Sequence, residues 1–107
     1  METISATGLS ERLKAGTVMR LLDVRQPEEF EIAALPGATL IPLNSLPERV
    51  GEIEAWKDEE VVVYCHHGMR SAHAISWLSS QGFGKLTNLT GGIDRWSVEV
   101  DPKIPRY

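Results

Sequence analysis

The residues able to do chemistry gather in one short stretch, Val61-Val62-Val63-Tyr64-Cys65-His66-His67-Gly68-Met69-Arg70-Ser71. Cys65 is the only cysteine of the chain. Four β-favouring residues run into it, a short polar loop with one glycine follows, and a helical pattern starts at Ser71. A strand, a tight loop and a helix N-terminus together make a cup of backbone N–H groups that faces an anion. A thiol at the rim of such a cup gains thiolate character from the positive helix end, and Arg70 adds a full charge. The chemistry this predicts is thiolate nucleophilic attack, with loop N–H groups from His66 to Ser71 holding the charge that develops. Gly68 lets the loop curve tightly or adopt a positive φ. Ser71 is expected to cap the following helix.

The same physics allows other readings of these residues. Free cysteine is often only a small buried hydrophobe, which fits this loop less well than site chemistry does. Arg70 has two roles open to it, attracting an anionic donor or bracing loop carbonyls, since a forked guanidinium suits either. All three histidines, His66, His67 and His73, fall close to Cys65. A metal site built from Cys65 and two of them fails, because adjacent His66 and His67 are expected to point apart and no second cysteine or carboxylate lies at ligand spacing. Solvent-exposed imidazoles are expected instead, charged below about pH 6.5. Trp56, Trp77 and Trp96 read as core or interface packing.

The elements that must position this loop alternate along the chain. Ile4-Ser5 reads as a first strand, and Thr7 as the cap of a helix carrying Leu9 and Leu13 and stopped by Gly16. Val18 to Val24 reads as a largely buried strand, followed by a helix from Gln26-Pro27-Glu28-Glu29, where proline and two acids suit the positive end of the dipole. Ala38 to Ile41 is a short strand. Ser45-Leu46-Pro47-Glu48 has capping-box spacing ahead of Leu46, Val50 and Ile53 on one helical face, weakened by Gly51. Val61 to Tyr64 is apolar on both faces, as a central parallel strand covered by helices would be. The helix after the loop carries Ala74, Ile75 and Leu78 and ends at Gly82, with Phe83 placed to touch Leu78 as in a Schellman cap. Leu86 to Leu89 is the last strand, Gly91-Gly92 opens a final helix, and an extended tail begins at Asp101-Pro102.

Strands alternating with short helices predict an α/β fold with a mainly parallel sheet and helices on both faces. Sites in such sheets lie at the carboxyl ends of strands, where Asp23 and Arg25 from one strand meet Cys65 from another. Asp23 and Arg25 are expected to support the loop, the alternative being a local exposed ion pair worth ~1 kcal/mol or less.

The chain of 107 residues fits a single domain, 1–107, with an ordinary hydrophobic fraction of 42% and no repeat or linker. A net charge of -4 with no Lys/Arg cluster gives no footprint for nucleic acid. No apolar run approaches the ~20 residues of a membrane span, and Met1-Glu2-Thr3-Ile4-Ser5 lacks signal-peptide character. One cysteine excludes an internal disulfide and any C-x-x-C pair, so a cytoplasmic, reducing location is expected. Nothing in the sequence demands more than a monomer.

Cys65-His66-His67-Gly68-Met69-Arg70-Ser71 resembles the active-site loop of the rhodanese family, C-x-x-G-x-R-[ST]. Leu21-Leu22-Asp23-Val24-Arg25 is similar to that family's L-[IL]-D-V-R strand, Pro27-Glu28-Glu29-Phe30 to its P-x-E-[FY] helix start, and Gly91-Gly92-Ile93 with Trp96 to its closing G-G-x-x-x-W. Leu35-Pro36-Gly37-Ala38 and Ile41-Pro42-Leu43 resemble its H-I-P-G-A-x-x-I-P stretch, with Ala33-Ala34 standing where a G-H pair is common. In that family the histidine is not the nucleophile, so the resemblance still implies sulfur chemistry at Cys65. The tail, Val100-Asp101-Pro102-Lys103-Ile104-Pro105-Arg106-Tyr107, is similar to the end of rhodanese domains fused behind enzymes that adenylylate sulfur carriers. The resemblance implies a sulfurtransferase in which Cys65 carries a persulfide and no separate cofactor is needed. Sulfur would pass from thiosulfate or a protein persulfide to cyanide, a thiol or a sulfur-relay protein. Two rivals differ in class. Phosphatases and arsenate reductases share a cysteine–arginine loop but space it C-x5-R, against C-x4-R from Cys65 to Arg70. A non-catalytic interaction module of the same fold commonly lacks the cysteine.

Overall fold

A computed structural model describes residues 1–107. Five strands, β1 (Glu2–Ile4), β2 (Arg20–Asp23), β3 (Thr39–Leu40), β4 (Val61–Tyr64) and β5 (Leu86–Leu89), form one sheet in the order β1-β5-β4-β2-β3. Every pairing is parallel. The sheet is therefore the α/β arrangement the alternating pattern predicts, with β4 at its centre.

Period-two alternation in β4 divides the core into two halves. Val61 and Val63 face a cluster built with Leu22, Leu46, Ile53 and the α4 residues Ala74, Ile75 and Leu78 (α4, Met69–Ser80). Val62 and Tyr64 face a second cluster with Leu21, Leu89, Ala6 and Leu9 of α1 (Ala6–Lys14), and Ile93 and Trp96 of α5 (Gly92–Glu99). Helices thus cover both faces, which is why all four β4 residues are apolar or aromatic and buried. Each fully buried aliphatic such as Leu78 or Leu22 contributes on the order of 1.5–3 kcal/mol. By contrast α2 (Pro27–Ile32) buries no residue fully and stands beside the site.

Several local expectations are corrected. Ser5 caps α1, its side chain accepting the Gly8 N–H at 3.0 Å, in place of Thr7. The second strand is shorter than Val18–Val24, and Val18 is exposed. Ser45 does not form a capping box: a 3-10 turn over Leu43–Ser45 already places it in the helical region, and α3 (Leu46–Arg49) follows without a break. Beyond it the chain tightens into 3-10 geometry over Val50–Trp56 with a kink at Ile53, so the helix weakened by Gly51 ends early. The Schellman end of α4 is present, with Gly82 at φ 97°, Phe83 N–H donating to the Leu78 carbonyl and Gly82 N–H to that of Ser79. The tail turns before it extends, Ile104 N–H donating to the Asp101 carbonyl at 3.0 Å.

Candidate active site

Cys65 follows β4 directly and is buried, its sulfur at the floor of a loop that ends in α4. The Sγ accepts the Gly68 N–H at 3.0 Å and the Ser71 N–H at 3.4 Å. Gly68, not Ser71, caps α4, and it sits at φ 122°, where a side chain is strained. Ser71 is thereby one turn inside the helix. Its Oγ lies 3.4 Å from the cysteine sulfur and donates to the Asn88 Oδ1 at 2.6 Å and the Gly68 carbonyl at 3.0 Å. Asn88, buried on the neighbouring strand, donates its Nδ2 to the same Gly68 carbonyl at 3.1 Å. The N–H groups of His66, His67, Met69 and Arg70 donate to no protein acceptor, so the cup keeps donors to spare beyond the sulfur.

A second helix start shapes the loop from behind. Ile93 N–H donates to the Cys65 carbonyl at 3.0 Å and Asp94 N–H to the His66 carbonyl at 3.1 Å, which turns those carbonyls away from the cup. Gly92 permits this approach: a Cβ there would lie 2.4 Å from both carbonyl oxygens. The Gly91-Gly92 pair was visible as a motif, but its function is this close contact.

Asp23 and Arg25 do come together at the strand end, as a fully buried pair and not an exposed one. Arg25 Nη2 and Nε donate to the Asp23 carboxylate, Nη2 also to the Ala33 carbonyl at 2.6 Å, and Nη1 to the Tyr107 hydroxyl at 2.6 Å. Burial opposes the guanidinium charge, but Asp23 and Tyr107 outweigh it and hold Arg25 firmly protonated. Neither residue bonds to the Cys65 loop itself. Their link to it runs through Tyr107, whose ring stacks on His66 at 3.9 Å and whose hydroxyl donates to Glu29 at 2.8 Å. Burial raises the Tyr107 phenol to about 12, with Arg25 opposing and Glu29 adding to the rise.

Arg70 takes neither of its expected roles outright. Its fork is bidentate on Glu29 of α2, at 2.6 and 2.9 Å, and it bonds to no loop carbonyl. Glu29 also accepts the Gln26 N–H at 3.1 Å. The Arg70 hydrogen bonds foremost, against partial burial and with help from Gln26 and Tyr107, lower the Glu29 carboxyl to about 2. The histidines are corrected as well. His66 and His67 do not point apart; their rings lie 4.0 Å from each other. His66 is half-buried, and desolvation followed by the nearby His67 charge lowers its pKa. His67, Met69 and His73 are exposed. The largest cavity, about 540 Å³ and lined by Glu2, Arg12, Glu60 and Lys85 among others, opens at the opposite end of the strands, away from Cys65.

Four residues of this site have no site role in the sequence reading: Asn88 and Tyr107, and Glu29 and Gly92, which stand there only at helix starts and in family motifs. Asn88 carried a usable signal, an amide in a fully buried strand between Thr87 and Leu89. Tyr107 carried none, because its partners lie 78 and 82 residues away.

A family model for the rhodanese-like domain matches residues 5–99. The chain belongs to the rhodanese-like family. Its rhodanese-like relatives include a protein named sulfurtransferase from Allochromatium vinosum, 39% identical over 94 residues that cover 88% of this chain and 86% of that protein. The chain is also 34% identical, over 98% of its length, to a probable adenylyltransferase/sulfurtransferase MoeZ from Mycobacterium tuberculosis. It spans only 27% of that protein and 30% of a further relative, so the rhodanese-like unit is a part of each. Among solved structures, a rhodanese-related protein from Thermoplasma volcanium superposes with a TM-score of 0.82 at 34% identity, covering 94% of each chain. No helix is long and apolar enough to cross a membrane.

Proposed function

We propose that the protein is a sulfurtransferase that carries sulfane sulfur as a persulfide on Cys65. The observation that carries this reading is the pair of N–H donors on the Cys65 sulfur together with the unused loop N–H groups around it. In the first half-reaction the Cys65 thiolate attacks the outer sulfur of a donor such as thiosulfate. The donor's S–S bond breaks, sulfite leaves with the electron pair, and Cys65–S–S⁻ remains. The unused N–H groups stabilise the terminal sulfur as an oxyanion hole stabilises oxygen. In the second half-reaction an acceptor nucleophile (cyanide, a thiol or a protein) attacks that sulfur and Cys65 departs as thiolate. Electrons balance within the two steps, so the cycle needs no further cofactor.

The buried floor on which the sulfur sits favours entry by a single outer atom over a bulky tetrahedral group, and the C-x4-R spacing favours sulfur over phosphate in the same way. Similarity to an adenylyltransferase/sulfurtransferase supports a sulfur-relay protein as donor or acceptor, and a single cysteine with no internal disulfide fits a reducing, cytoplasmic setting.

The test is intact mass after incubation with thiosulfate, on the native protein and on Cys65→Ser. A gain of one sulfur, lost on adding cyanide and absent in the variant, is expected. If neither thiosulfate nor a persulfide donor loads Cys65, the reading falls.

A further inference from the structure

Every arginine near the Cys65 loop is already committed to a carboxylate. Arg25 is locked on Asp23, Arg70 on Glu29, and Arg106 on Asp94 at 2.9 and 3.1 Å. Of the imidazoles, His67 turns its Nδ1 to Asp94 at 4.0 Å, and desolvation foremost holds His66 towards its neutral form. Glu29 is the most heavily restrained of these acids. It accepts two bonds from Arg70, one from the Tyr107 hydroxyl and one from the Gln26 N–H, and Tyr107 is in turn held by Arg25. The anion-binding capacity left to the cup is its backbone N–H groups. Those suit one terminal sulfur anion and offer no cation to a second charged group.

Resting on the sulfurtransferase reading, we propose that Glu29 sets donor selectivity, holding the Arg70 fork so that the site prefers organic persulfides over thiosulfate. A persulfide R–S–S⁻ presents one negative charge at its reacting end. Thiosulfate brings a second charge on its sulfonate, which needs a free cation and meets the Glu29 carboxylate instead. The transfer itself is balanced: the Cys65 thiolate takes the outer sulfur, the donor S–S bond breaks, and R–S⁻ leaves. Glu29 is a positioning residue in this scheme, acting through Arg70. Because Arg70, Gln26 and Tyr107 keep Glu29 ionised far below neutral pH, the lock stays closed under physiological conditions.

The experiment compares kcat/KM for thiosulfate and for cysteine persulfide in the native protein, Glu29→Gln, and Glu29→Gln with Arg70→Gln. Glu29→Gln frees the Arg70 charge and is expected to raise kcat/KM for thiosulfate about tenfold, through a lower KM, leaving cysteine persulfide within about twofold; tenfold corresponds to ~1.4 kcal/mol. The double variant removes both charges and is expected to return the donor ratio to the native value. A fall in thiosulfate turnover in Glu29→Gln, an equal rise for both donors, or a thiosulfate-specific loss in the double variant would overturn the proposal. The last outcome would mean that Arg70 already binds the sulfonate. Salt dependence of the native protein gives a check that needs no variant. With no free cation, kcat/KM for thiosulfate does not fall as ionic strength rises, whereas a steep fall contradicts the lock. Failure of both donors to load Cys65 strikes the sulfurtransferase reading itself; loading with an unchanged donor ratio in Glu29→Gln strikes only the role of Glu29.

Discussion

Arg25 and Asp23 pair with no solvent exposure on either side chain, whereas Arg70 and Glu29 pair at 36% and 18% exposure. Both are bidentate guanidinium–carboxylate contacts, and both lie within one network closed by Tyr107. What separates them is the cost of breaking them. In the buried pair a lost partner strands a charge in low dielectric. At the mouth of the loop, water takes over the freed group. The first pair therefore ties the β2 end to the C-terminal end of α2 at Ala33, and the second is free to act on what enters the site.

The largest expected effect on stability follows from this. Arg25→Met leaves the Asp23 carboxylate unpaired and removes the donors to the Ala33 carbonyl and the Tyr107 hydroxyl. Chemical denaturation should show a loss of about 3–5 kcal/mol. Adding Asp23→Leu sharpens the comparison: it should recover only part of that loss, since the carbonyl and hydroxyl stay unsatisfied. Full recovery would mean that charge alone mattered.

Gly92→Ala comes next. Its Cβ would collide with the Cys65 and His66 carbonyls, and the residue sits at φ 60°. We expect a loss of about 1–3 kcal/mol from overpacking, together with slower sulfur loading as the loop is pushed off α5. Unchanged loading would show that α5 supports the fold without shaping the cup. Arg70→Gln should cost ~1 kcal/mol or less, measured by the same denaturation. A cost equal to that of Arg25→Met would erase the distinction between the two pairs.

The smallest effect is a pH effect. Glu29 has a folded-state pKa lowered to about 2 from 4.5, so the unfolded chain binds its proton first as pH falls. Its stabilising contribution is fully present above 4.5 and is lost as pH drops from there toward 2. In Glu29→Gln that part of the acid limb should flatten, because the variant's loss, ~1 kcal/mol or less for a solvent-facing pair, is present at neutral pH and disappears toward pH 2.

The sequence made the β4–loop–α4 unit legible because each signal in it is local: four apolar β-formers, a glycine, a helix with one buried face. The two faces of the sheet followed from the same alternation. The strand order did not, since β1 and β5 are joined by no local pattern. Within the site, Cys65 and Gly68 stood out by residue type, and Asp23 and Arg25 by position at a strand end. Ser71 was misassigned because cap preference is a statement about near neighbours, whereas its hydroxyl turns to Asn88, 17 residues away. Local sequence leaves Arg70 undecided for a similar reason. Its partner lies 41 residues earlier on α2, and only the folded arrangement shows that the fork is occupied. The histidines were misplaced because neighbouring side chains in a loop, unlike a strand, need not diverge.

The backing of the loop by α5 has a consequence for synthesis. Cys65 leaves the ribosome before Gly92, Ile93 and Asp94, and β1 waits for β5, its only strand partner. A nascent chain or truncated product that stops short of residue 92 therefore carries the thiol without the groups that aim its loop. The aimed loop is a property only of chains that extend past Asp94.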